Sequence, residues 1–75
     1  MRRFYQLYIN NYMKFQEVLN RIENLDKSDI LIKDYISKDY SKISLTYKNK
    51  RILDLRQPQF EKLKKLGYNY QKITV

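Results

Sequence analysis

The chain has one proline and one glycine in 75 residues, and the two bracket a single segment, Pro58 to Gly67. Proline is tolerated in the first turn of a helix, where its missing N–H would have no partner. Glycine suits the C′ position, which needs a positive φ. Phe60, Leu63 and Leu66 fall on one face between them, which predicts a short helix with Lys62 and Lys65 turned to solvent and Lys64 on the flank of the apolar stripe. Tyr68 is placed to fold back on Leu63 in a Schellman-type stop. Everywhere else the chain lacks breakers, so periodicity must define the elements.

From Phe4 to Leu25, Phe4, Leu7, Tyr8, Tyr12, Phe15, Val18, Leu19, Ile22 and Leu25 recur at helical spacing, predicting one long amphipathic helix. A competing reading makes Arg3 to Ile9 a strand and starts the helix after Asn10-Asn11, because Asn caps helices well. Asp26 to Asp29 reads as a turn, Asp29 to Ile36 as a strand rich in β-branched and aromatic residues, and Ser37 to Ser41 as a polar connection. Ile43, Leu45 and Tyr47 alternate with Ser44, Thr46 and Lys48, the clearest strand signal in the chain. Arg51 to Leu55 forms its hairpin partner, and Tyr70 to Val75 the last strand.

Register follows from burial, because a one-residue slip would turn every apolar side chain to the wrong face. A two-residue turn at Asn49-Lys50 would set Leu45 against Asp54. A three-residue loop, Lys48-Asn49-Lys50, pairs Leu45 with Leu53 and Ile43 with Leu55, and is preferred. The expected fold is one small basic domain, residues 1–75, of α+β class. Its order is α-β-β-β-α-β, with two helices on one face of a mainly antiparallel sheet. The alternative, β-α-β-β-α-β, is ferredoxin-like.

Without cysteine there is neither a disulfide framework nor a thiolate, and without histidine the usual base near neutral pH is missing. Asp26, Asp29, Asp34 and Asp39 are interspersed with Lys27, Lys33, Lys38 and Lys42, and Asp29 and Asp34 fall on opposite strand faces, which argues against a shared metal. No catalytic residue, metal or cofactor is therefore expected. The apolar run after Met1-Arg2-Arg3 is broken by Gln6, Asn10 and Asn11, so neither a signal peptide nor a membrane span is expected and the setting is read as intracellular.

The charge is lopsided. Residues 48–75 set eight basic residues against Asp54 and Glu61, leaving +6 of the total +8. Such a field faces a polyanion. The expected function is a non-enzymatic module that contacts DNA or RNA backbone through Lys48, Lys50, Arg51, Lys62, Lys65 and Lys72, with Tyr68 and Tyr70 adding stacking or packing. Tyr40 is a further stacking candidate, whereas Tyr8, Tyr12 and Tyr47 are assigned to the core. The alternative is a small virus- or plasmid-encoded inhibitor docking on an acidic surface of a host protein, such as a nucleic-acid-processing or defence (CRISPR-type) complex. Abundant Lys, Ile, Asn and Tyr fit an AT-rich genome of that kind. A core this small also leaves an edge or helix face for a second copy, so a homodimer is a candidate assembly.

Overall fold

The computed structural model describes residues 9, 10 and 12–75. Its elements are α1 (Phe15–Ile22), β1 (Ile30–Ile36), β2 (Ser41–Tyr47), β3 (Lys50–Leu55), α2 (Gln57–Lys65) and β4 (Asn69–Thr74), with a short 3₁₀ turn at Lys27–Asp29 before β1. The order is the expected α-β-β-β-α-β.

The four strands form one mixed sheet in the order β3-β2-β1-β4. β1–β2 and β2–β3 are antiparallel and β1–β4 is parallel. The parallel pair follows from connectivity: α2 carries the chain from β3 back across the sheet, so β4 enters beside β1 running the same way. Both helices cover the same face. Val18, Leu19 and Ile22 of α1 and Phe60 and Leu63 of α2 share one cluster with Ile30, Ile32, Ile43, Leu45 and Leu55. Burial of such a side chain stabilises the fold by about 1.5–3 kcal/mol.

α1 is shorter than periodicity predicts. The Asn10 side-chain oxygen accepts the Tyr12 N–H at 2.9 Å, and the Met13 N–H reaches the Asn10 carbonyl at 3.3 Å. This local turn competes with helix, and Phe15 becomes the first helical residue. Tyr12 is consequently 96% exposed instead of packed in the core. The expected helix over residues 4–8 and the competing strand over residues 3–8 lie outside the described residues. The helix also ends at Ile22, three residues before Leu25.

α2 matches its punctuation. Gln59 Oε1 accepts the Arg56 N–H at 2.9 Å at its start. At its end the Gly67 N–H reaches Lys64 O at 3.0 Å and the Tyr68 N–H reaches Leu63 O at 3.2 Å, with Gly67 at φ +92°. These are the two bonds of a Schellman stop. Asp26 closes the 3₁₀ turn: its carboxylate accepts the Ser28 N–H and hydroxyl, which together hold the Asp26 pKa below its ordinary value.

Candidate nucleic-acid interface

The predicted pairs Leu45–Leu53 and Ile43–Leu55 are present, but the loop between them is not the expected three residues. The turn is the two-residue Lys48-Asn49, with φ +52° and +71°, the type I′ pattern that matches strand twist. Lys50 belongs to β3 and pairs with Tyr47, Arg51 pairs with Thr46, and a register shift at Ile52 restores Leu53 opposite Leu45. A bulge therefore supplies the offset expected of the loop. Ordinary alternation along β3 sets Lys50 on the helix-covered side of the sheet and Arg51 on the other.

Lys48, Lys50 and Arg51 are all exposed at this tip. Lys48 Nζ sits 5.5 Å from the Tyr47 ring centroid. Arg51 Nη1 lies 3.3 Å from Asp54 Oδ1, and Lys42 Nζ is 3.9 Å from Asp54 Oδ2. Ser44 Oγ donates to the same Asp54 at 3.3 Å, so one carboxylate holds two cations on the face away from the helices.

The remaining predicted residues are dispersed. Lys62 and Lys65 are exposed on α2, and Lys62 lines a groove between the helices with Gln16, Asn20, Glu23 and Lys27. Lys72 is exposed on edge strand β4, where it pairs with Asp34 on the helix-covered side. Tyr70, half exposed, meets Phe60 edge-on at 5.5 Å, and Lys64 Nζ lies 5.0 Å from its ring.

Tyr68 is only 6% exposed, which removes it from the stacking set. Its place after Gly67 turns the ring into the core, and burial, reinforced by the Glu23 charge, raises its pKa. Lys27 covers it, with Nζ 4.9 Å from the ring centroid and donating to Leu66 O at 2.8 Å. A lysine thus satisfies the C-terminal carbonyl of a helix distant in sequence.

Away from the helices, the register aligns Arg51, Thr46, Leu31 and Asn69 in one row, Asp54, Ser44, Lys33 and Gln71 in the next, and Lys42, Tyr35 and Ile73 in a third. Lys33, Tyr35 and Lys42 lie outside the site expected from sequence, because lysines interspersed with aspartates read as a locally neutralised segment. The period-2 positions 31, 33 and 35 carried the only signal.

Among the described residues there is no cluster of three potential metal-ligating carboxylates, and every buried side-chain polar atom has a hydrogen-bond partner. None of their helices is long and apolar enough to cross a membrane. Comparison with protein-family models, curated proteins and solved structures found no match.

Proposed function

We propose that this protein is a non-enzymatic nucleic-acid-binding module whose primary phosphate contacts come from Lys48, Lys50 and Arg51. The supporting observation is the type I′ tip, which presents three exposed cations within four consecutive residues at the end of one hairpin. Each phosphate neutralised releases condensed counterion, so such a surface binds any sequence and weakens with salt. Lys62, Lys65 and Lys72 act at longer range as field, since they lie on α2 and on the other edge of the sheet.

Fluorescence anisotropy with labelled oligonucleotides tests this reading. Binding at low ionic strength should fall steeply with added salt, and alanine at Lys48 and Lys50 should weaken all sequences alike. Absence of binding to either DNA or RNA at low salt would remove it.

The groove between the helices, where Leu66 is 46% exposed beside Lys27 and Lys62, favours a second reading: an intracellular inhibitor, virus- or plasmid-borne, docking on an acidic host protein. Copurification of one stoichiometric protein partner that survives nuclease treatment would select it.

A further inference from the structure

We infer that the sheet face turned away from the helices is a platform for single-stranded nucleic acid, with Tyr35 stacking a base and Lys33, Lys42 and Arg51 holding the phosphates. The inference rests on the proposed nucleic-acid reading and adds both a substrate class and a second set of residues.

Three observations carry it. Among the described residues, both helices pack on the opposite face, leaving the rows through β1 without a helix layer. The central strand β2 contributes only Ser44 and Thr46 at the middle of this face, 2% and 3% exposed. Being buried, these two offer a ligand almost nothing, and the surface within reach is the partly exposed Leu31, Lys33 and Tyr35 of β1 with the exposed Lys42 and Arg51. Charge is the third: Lys33, Lys42 and Arg51 stand against Asp54 alone, and Lys33 joins none of the ion pairs among the described residues.

Tyr35 lies between Lys42 on β2 and Ile73 on β4, two positions along β1 from Lys33. A half-buried ring with cations on two sides meets the chemical needs of an unpaired nucleotide, a π-face for the base and ammonium groups for the adjoining phosphates. A duplex keeps its bases stacked inside, so it meets the tip and not this ring. Arg51 belongs to both surfaces, because its pairing with Thr46 sets it on the uncovered side of the tip.

The experiment compares Tyr35→Phe and Tyr35→Leu in the full chain, using anisotropy with a labelled oligothymidine and with a duplex of equal length. Both variants keep a large apolar side chain, and only Phe keeps a π-face. The expected result is single-strand affinity retained by Phe and reduced roughly tenfold by Leu, with duplex affinity unchanged in both. Equal single-strand affinity for the two variants overturns the platform, and if Lys48→Ala with Lys50→Ala still weakens binding, the proposed function stands without it. A parallel loss of duplex and single-strand binding in Tyr35→Leu also overturns it, as does wild-type protein that binds neither probe.

Discussion

Asp54→Asn should make the protein a stronger binder. The carboxylate lies 3.3 Å from Arg51 and 3.9 Å from Lys42, with all three side chains about half exposed, so it partly cancels two cations without burying them. Asparagine keeps the shape and an oxygen for the Ser44 hydroxyl, which donates to Asp54 at 3.3 Å. A phosphate taken up by Arg51 or Lys42 would stand about 7 Å from the Asp54 charge. At that distance one unit of repulsion is about 0.6 kcal/mol in water and about twice that at a half-exposed surface. Removing it should tighten binding about three- to eightfold at low salt, with the gain shrinking as the Debye length falls to about 10 Å at 0.1 M. Two exposed ion pairs are lost, which costs about 1 kcal/mol or less in stability. Anisotropy on the single strand reads the gain. Glu17→Gln on α1 adds the same net charge on the helix layer and should give a clearly smaller effect. A gain cannot be produced by misfolding, so affinity unchanged or weakened in Asp54→Asn, or an equal gain from Glu17→Gln, would refute the reasoning.

Two further outcomes concern the scaffold. Gly67→Ala places a Cβ 3.5 Å from Lys27 Nζ, an ordinary contact, so its cost comes from φ +92° alone: about 1–2 kcal/mol, read as a fall in Tm of roughly 4–16 °C, with Gly67→Asn costing visibly less. Tyr68 has its pKa raised above the usual tyrosine value, because burial and then the Glu23 charge disfavour the phenolate. Its contribution to stability is complete below about pH 10 and is lost as pH rises through the folded-state value. Thermal melts between pH 8 and 11.5 should therefore show an alkaline fall that is shallower in Tyr68→Phe.

Much of the fold can be read from local chemistry. Pro58 and Gly67 mark α2, and alternation fixes which residues of β2 and β3 face each other. Loop length resists such reading, because Leu45 reaches Leu53 either through a three-residue loop or through a two-residue turn plus a bulge at Ile52. Apolar pattern scores the two alike, and the difference lies in backbone twist. The first helix fails for a similar reason: hydrophobic phase runs through Asn10 undisturbed, while its side-chain oxygen ends the phase by capping a turn. The tip trio is legible because residues so near a hairpin turn share one end of the sheet, although Lys50 and Arg51 face opposite sides of it. The uncovered sheet face is not, because Leu31 is apolar there and blurs the alternation that would mark Lys33 and Tyr35 as a surface.

The +6 of residues 48–75 overstates the charge available to a partner. Lys62, Lys64 and Lys65 occupy the last turn of α2, where cations offset the negative end of the helix dipole, and Lys64 also stacks on Phe60 and Tyr70. Arg56 is the N-cap of α2 and Lys72 lies on the opposite edge strand β4, so both stand away from the hairpin tip. What remains for phosphate is the tip trio together with Lys33 and Lys42, which a count of the C-terminal segment omits. The two accounts differ in a measurable slope. Single strands give about 0.7 in log K per log salt for each neutralised phosphate, so five contacts predict a slope near −3.5 and all eight C-terminal cations one near −5.6. Glutamine at Lys33 and Lys42 should flatten the slope by about 1.4, whereas glutamine at Lys62 and Lys65 should leave it nearly unchanged. The reverse ranking would return binding to the helix layer and strip the sheet face of its role.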